Sequence, residues 1–314
     1  MQPTFYKRSG KFSSMFFVYF LLGVAISIPI LAVAYIYLNH YIPFIYANIF
    51  IAIGCGVGLG AVVGFAGKYG KVRNMALMVI FAFIAMVVLK YVQWAVYIPL
   101  IFTNIYEVWE MTFVERKLEA IFLLTRPLYV FEGAEIINEF GVWGLGTNVS
   151  TAVTGIPLLL VWVAEFIILT ASAILTANYF ISNPFSEETG AWYSTYDHTI
   201  SAGVPEHLDS IKQDMEYGKF DSLLEQIRQH NENPDTFLGF TIFAPPEQAT
   251  DEPHFLTMVK TTVTTKGKGR KKDQTKTDTL LTELAVSAET VQAMEEAATY
   301  AAAQAELVVE QADE

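Results

Sequence analysis

Four long apolar stretches decide what this chain can fold into. A helix crosses the roughly 30 Å hydrocarbon core of a bilayer in about 20 residues. Met15–Leu38, Pro43–Ala66, Met75–Ile101 and Ile156–Ile181 all exceed that length, and together they hold only two charged side chains, Lys90 and Glu165. In lipid every backbone polar group must be paired within its own segment, which leaves the helix as the form such stretches take. The first stretch follows Lys7, Arg8 and Lys11 and contains Ala32-Val33-Ala34, features of a cleaved secretory leader. A leader core is about 7–15 residues, so the longer run reads as a retained helix.

Charge divides the chain in the same place. Residues 1–181 carry ten basic and eight acidic side chains, residues 182–314 ten and twenty-four. The two parts therefore suit different solvents. The acidic balance excludes nucleic acid as the main partner, since that binding neutralises phosphates with Lys and Arg. One cysteine, Cys55, excludes an intrachain disulfide and a cysteine-based metal site. Basic residues stay on the cytoplasmic side. Lys7, Arg8 and Lys11 precede the first helix, and Lys68, Lys71 and Arg73 lie between the second and third. The link Asn39–Ile42 has no Lys or Arg, and Phe102–Gly155 carries seven acidic and three basic residues. The expectation is a multi-pass protein of the cell inner membrane with both termini cytoplasmic.

Within the second stretch, GCGVGLGAVVGFAGKYG resembles a phosphate-binding loop only in its glycines. A Walker loop follows a strand and continues Gly-Lys with Ser or Thr, whereas Tyr69 follows Gly67-Lys68 here. A dinucleotide fold needs alternating strands and helices, which are missing. Gly56, Gly60 and Gly64 instead recur every four residues and form one smooth helical face, which lets another helix approach closely. An intrachain partner is expected, because the short Asn39–Ile42 link sets the first two helices side by side. Pro29 reads as a packing kink in the first helix.

Lys90 and Glu165 are the candidate intramembrane site. Lys90 lies 11 residues before Ile101 and Glu165 nine after Ile156, so both sit about 15 Å from one membrane face. A charge at the bilayer centre costs about 2.5–3.5 kcal/mol on insertion scales, so the two are expected to pair. Such a pair either fixes helix register or forms part of a proton or ion pathway. The absence of broken helices in repeats favours the first.

The loop 102–155 is patterned. Asn104, Ile105, Val108, Trp109, Thr112 and Phe113 share a helical face, continued by Ala120, Ile121 and Leu124. Pro127 suits the first turn of a second helix, with Val130, Ala134 and Ile137 as its stripe. An amphipathic hairpin lying on the surface fits, and so does one dipping into the bilayer. Asn148-Val149-Ser150 is a glycosylation triplet of low specificity.

RPLYVFEGAEIINEFGVWGLG, the fourth helix with TGIPLLLVWVAEFIIL, and NPFSEETGAWY after it together resemble a group of uncharacterised bacterial four-helix membrane proteins. In those proteins the last stretch reads Pro-Phe-Cys-Glu-x-Cys-x-x-Trp. The resemblance covers residues 15–193 and implies an inner-membrane protein with no established activity. Ser186 and Thr189 stand where that pattern has cysteines, and hydroxyls are poor zinc ligands. No metal and no cofactor are therefore expected. Residues 182–199 read as a juxtamembrane knuckle that keeps its shape without metal. Phe185, Trp192, Tyr193 and Tyr196 suit a membrane interface.

Beyond it, Leu208, Ile211 and Met215, then Phe220, Leu223, Leu224 and Ile227, are spaced as two short helices separated by Gly218. Thr236–Phe243, Phe255–Thr265 and Thr277–Val286 read as strands, and Ser287 as the cap of a last helix. KGKGRKKDQTK places Lys266, Lys268, Arg270, Lys271, Lys272 and Lys276 together. They form either an anionic-lipid contact, at about 1 kcal/mol per residue near a surface, or a solvated hairpin tip. His198, His207, His230 and His254 show no metal spacing, and no nucleophile elbow exists, so no enzyme is expected.

The fold expected is an all-α four-helix transmembrane bundle, followed by a small cytoplasmic α+β domain. Residues 1–181 form the membrane domain, 182–199 the knuckle, 200–303 the α+β domain and 304–314 an acidic tail. The function expected is to anchor an interaction or sensory domain, with the bilayer and a protein as partners. The alternative is a transporter or channel subunit using Lys90 and Glu165.

Overall fold

The computed structural model describes residues 4–42, 45–105, 113–141, 152–196, 200–229, 235–249, 251–264 and 274–312. It divides into two units, Ser9–Ser182 and Met1–Arg8 with Asn183–Glu314. The chain therefore passes between units twice. Residues 1–8, grouped with the membrane helices by sequence, belong with the second unit, as does the knuckle.

The described part of the first unit is helical: α1 (Met15–Tyr41), α2 (Ile45–Tyr69), α3 (Met75–Ile105), α4 (Phe113–Leu124), α5 (Pro127–Phe140) and α6 (Gly155–Tyr179). Four of these are long and apolar enough to cross a membrane: α1, α2, α3 and α6. Their outward surface is apolar, with Ile26, Phe50 and Leu175 each about two-thirds exposed or more. A surface of that kind marks a non-aqueous surrounding. α1 continues as one helix through Pro29. α2 packs between α1 and α6, and α3 also packs on both.

Gly56, Gly60 and Gly64 face α6, not α1. A Cβ built on Gly56 would fall 2.5 Å from Leu169 O, one on Gly60 2.5 Å from Ala173 O, and one on Gly64 2.6 Å from the Phe180 ring. The intrachain partner is thus a different helix from the one its short link suggested. The reason is complementarity: α6 presents Ser172, Ala173 and Thr176 there, and small residues on both sides let backbones meet and gain dispersion contacts. α1 is served by another side of α2, where Gly58 lies against Leu31 and Gly23 of α1 against Val62. At one end of the bundle Phe16, Gly70, Met78 and Ile181 come together around the start of α1, the end of α2, the start of α3 and the end of α6. This is the end at which the chain enters and leaves the unit.

In the second unit, β1 (Phe185–Ser186) and β2 (Ala191–Trp192) form a small hairpin. β3 (Ser194–Thr195), β4 (Ile200–Gly203), β5 (Thr236–Ala244), β6 (His254–Thr264) and β7 (Gln274–Val286) build one antiparallel sheet. Its order is β3-β5-β6-β7, with β4 also on β5. One face is covered by α7 (Leu208–Glu216), α8 (Asp221–Arg228) and α9 (Ala288–Ala312). Leu238, Phe240, Ile242, Leu256 and Met258 meet Ile211, Met215, Leu223, Ile227 and Met294 in the core. Gly218 turns the chain between α7 and α8 at φ +75°. Ser287 caps α9, its Oγ accepting from Thr290 N–H at 3.1 Å. α9 reaches Ala312, so most of the stretch read as an acidic tail is helix.

The open edge of β7 is paired by the N-terminal segment. Ala285 N–H donates to Thr4 O at 2.8 Å and Tyr6 N–H to Glu283 O at 3.0 Å, while Phe5 packs on the core. Edge strands need such covering. Glu283 makes it possible, lying at φ +53° in a stretch where β6 and β7 slip register, with its N–H given to Thr257 Oγ1.

Replacing Gly60 with Val forces a side chain into the α6 backbone and should destabilise the bundle by about 1–3 kcal/mol, as overpacking does. Gly54→Ala meets nothing within 4 Å and should be neutral. Thermal unfolding of the two variants in detergent checks the contrast.

Candidate functional site

α3 and α6 lie side by side, and their ionisable residues meet. Lys90 Nζ donates to Glu165 Oε1 at 2.6 Å. Tyr35 of α1 donates its hydroxyl to the same oxygen at 2.6 Å. α1 packs on α2 and α3, so Tyr35 reaches through the bundle interior to α6. The Lys90 ammonium also stands 5.9 Å from the centre of the Tyr35 ring. Charge-assisted hydrogen bonds of this length are the strong kind, and one carboxylate oxygen here ties three helices together.

Sequence reasoning did not find Tyr35. A neutral aromatic in an apolar run carries no charge cost to flag it. Its position gave no signal either, since Tyr35 stands three residues before Leu38, where tyrosines suit the membrane interface.

One turn along α3, Gln93 is 1% exposed. Its Nε2 approaches Cys55 Sγ of α2 at 3.8 Å, and its Oε1 has no hydrogen-bond partner among the described residues. Towards the end of the bundle away from the chain junctions, Trp94 and Trp162 meet edge to face with centroids 4.8 Å apart. They cover the pair from that side, because Trp94 follows Lys90 by one turn and Trp162 precedes Glu165 by one.

Most of the other sequence candidates are not described. Lys266, Lys268, Arg270, Lys271 and Lys272 lie outside the described residues. Lys276 is exposed and pairs with Asp278 at 2.9 Å, a surface contact of little energetic weight. His198, His230 and the Asn148 triplet also fall outside. Among the described residues, no group of three or more His, Cys, Asp or Glu is placed to hold a metal.

The knuckle is held by hydrogen bonds. Ser186, 1% exposed, donates its hydroxyl to Glu252 Oε1 at 2.8 Å and accepts Thr189 N–H at 3.1 Å. Tyr193 donates to Glu252 Oε2 at 2.8 Å. Burial first, then these bonds to Glu252, push the Tyr193 hydroxyl well above its ordinary pKa. The donor set does not fit zinc, because Ser186 and Thr189 offer neutral hydroxyls where thiolates would be needed. Phe185 and Tyr193 are buried inside the unit and do not form a membrane belt. Phe185 stacks edge-on with Trp192 at 5.0 Å, and Tyr193 leans on Phe255 at 5.2 Å. Phe185 N–H donates to the Tyr6 hydroxyl at 3.0 Å, whose pKa is raised chiefly by burial.

The fold defines a multi-pass membrane protein: four apolar helices of spanning length, an ion pair among them, and an α+β unit. No family model, curated protein or solved structure matches the chain.

Removing one partner of a desolvated pair leaves the other charge uncompensated, which costs about 3–5 kcal/mol. Lys90→Met and Glu165→Leu should each lower stability by that order, and the double substitution should recover most of it. A double-mutant cycle of unfolding in detergent or bicelles measures the coupling.

Proposed function

We propose that this is an inner-membrane protein with both termini in the cytoplasm, which displays its α+β unit there as an interaction or sensory module. One observation carries the reading. The strand that leads into α1 and the knuckle that follows α6 are bonded to each other, through Tyr6 and Phe185, and both are stitched into the same unit. The chain passes through these two segments, one tether at each crossing, to the first and last helices of the bundle. A shift between α1 and α6 would then bear on the Tyr6–Phe185 contact, and a partner gripping the sheet would act on the helices in return. Such two-way coupling is what a sensory module needs, since a ligand shifts an equilibrium only through differential contacts in two states. Arg8 reinforces the tether, reaching Glu283 at 3.8 Å. Burial raises the Glu283 carboxyl pKa and the Arg8 charge opposes that rise.

A second reading, transport of protons or ions, is favoured by Tyr35 on Glu165 and by Gln93 Oε1, one turn from Lys90 and without a hydrogen-bond partner among the described residues. Flux into liposomes that Glu165→Gln leaves unchanged would remove it.

A reporter fused after Glu314 should be active only in the cytoplasm. In the intact protein, Phe5→Asp should speed amide exchange at Glu283–Val286 by tenfold or more without disturbing Leu238–Ile242. An externally displayed C-terminus, or unchanged exchange along β7, would overturn the proposal.

A further inference from the structure

The α4–α5 hairpin has two fixed points on α3. The Tyr91 hydroxyl donates to Leu123 O and Leu124 O, at 3.0 Å each. Seven residues further along α3, Ile98 lies against Gly133 of α5, where an added Cβ would fall 2.8 Å from it. α4 therefore runs back along α3, turns at Thr125–Arg126 and returns as α5. Helical side chains lean towards the N-terminus of their own helix. Tyr91 thus reaches towards the end at which α3 begins, and the turn lies no shallower than Tyr91 itself. Tyr91 is ten residues from Ile101, about 15 Å along the helix. That is the level of its neighbour Lys90 and of the pair with Glu165.

The chemistry of the turn suits that depth. Ala120–Phe131 holds one charged residue, Arg126, while Lys117, Glu119, Glu132, Glu135 and Glu139 flank it on the legs. The outward side is apolar and at least half exposed at Ile121, Phe122, Leu128, Tyr129 and Phe131. Opposite it, Leu123, Val130 and Ile137 pack with Ala95 and Ile98, and Trp94 and Trp162 join that cluster. The carbonyls that end α4, costly if left bare in hydrocarbon, are occupied. Phe122 O accepts Thr125 Oγ1 at 2.8 Å, Leu123 O accepts Arg126 N–H at 2.9 Å, and Tyr91 serves the last two. Pro127 opens α5 with no N–H to satisfy. The Arg126 guanidinium lies over Phe122, 4.9 Å from the ring centre, and 6.0 Å from that of Tyr129.

We infer that α4–α5 is a re-entrant hairpin, dipping into the bilayer from the face opposite the end at which the chain enters and leaves the bundle, with acyl chains as the occupant of its outward side. It lines the α3–α6 seam beside Trp94 and Trp162, and so closes the lipid route to Lys90 and Glu165 on that side. The inference rests on the membrane reading of the four long helices.

The test uses full-length protein in sealed vesicles, with the buried Cys55 retained and cysteine placed at Leu128 or at Glu139. Leu128→Cys should react with a membrane-impermeant maleimide at least tenfold more slowly than Glu139→Cys, from either side, and become reactive in SDS. A nitroxide at position 128 should be relaxed by oxygen more than by a nickel chelate, and one at 139 the reverse. Equal labelling at the two positions, or a label at 128 open to nickel, would place the hairpin in water. A label at 128 shielded from both relaxants would replace lipid with a protein partner, and either result overturns the inference. If Glu139→Cys labels only from the cytoplasmic face while 128 stays protected, the hairpin stands and the proposed orientation falls.

Discussion

The close meeting of α2 and α6 fixes most of the first unit. Gly56, Gly60 and Gly64 remove side chains from one face of α2, and Ser172, Ala173 and Thr176 keep the facing surface of α6 small. Association of helices in lipid gains nothing from expelling water, so it depends on such dispersion contacts and on hydrogen bonds between helices. With α6 held against α2, and α3 packed on α6, Glu165 comes within reach of Lys90. The same constraint leaves a seam between the outer parts of α3 and α6, where Trp94, Trp162 and the α4–α5 hairpin settle. The ion pair is therefore a consequence of the glycine face as much as a cause of the bundle.

The hydrogen bond from Tyr35 changes what that pair is. Two opposite charges in contact cancel at a distance, yet each still has lone pairs or protons to satisfy in a medium of low dielectric. Tyr35 supplies one more donor to Glu165 from the far helix. Gln93 brings an amide to the same neighbourhood and spends only its nitrogen, on Cys55. The interior thus carries two small polar groups, Tyr35–Glu165–Lys90 and Gln93–Cys55, and Gln93 Oε1 has no hydrogen-bond partner among the described residues. Unsatisfied buried groups are uncommon in native proteins and call for an explanation. A water bound there, or a second arrangement of these side chains, would each supply one.

How much of this was legible depended on whether a feature repeats along the chain or pairs across it. The four spans, the glycine face and the partnership of Lys90 with Glu165 follow from length, spacing and depth, which are local quantities. The stripe of α5 was equally visible, since Val130 and Ile137 recur at helical spacing and both are buried. That of α4 was not: Ile121 and Leu124 are exposed and Leu123 packs inward, Asn104 and Ile105 belong to α3, and Val108, Trp109 and Thr112 lie outside the described residues. The depth inferred for the hairpin rests on contacts across the chain, Tyr91 of α3 on Leu123 and Leu124 and Ile98 of α3 on Gly133 of α5. The glycine partner was misassigned because a short link argues for the neighbour in sequence, whereas small residues on α6 decided the matter. β4 is four residues long and Thr4–Tyr6 three, too short for any alternation to register. Phe185 and Tyr193 were read as interface aromatics because composition cannot separate a belt from a core. Tyr6 and Phe255, far away in sequence, enclose them.

In the second unit one carboxylate holds the segment that follows α6. A structural metal site contributes folding energy directly, and Ser186 and Thr189 offer no thiolates for one. Here Glu252, from the turn before β6, lies between the Ser186 and Tyr193 hydroxyls and accepts one on each oxygen. Each such bond to a charged acceptor contributes about 1.5–3 kcal/mol, less than a bound zinc but without its need for thiolates. The remaining load is carried by packing, with Phe185 on Trp192 and Tyr193 on Phe255. Tyr6 then joins the knuckle to the N-terminal strand, so the segment that follows α6 and the segment that precedes α1 share one set of contacts. A metal would hold the knuckle to itself; this arrangement holds it to the sheet and to the other end of the chain.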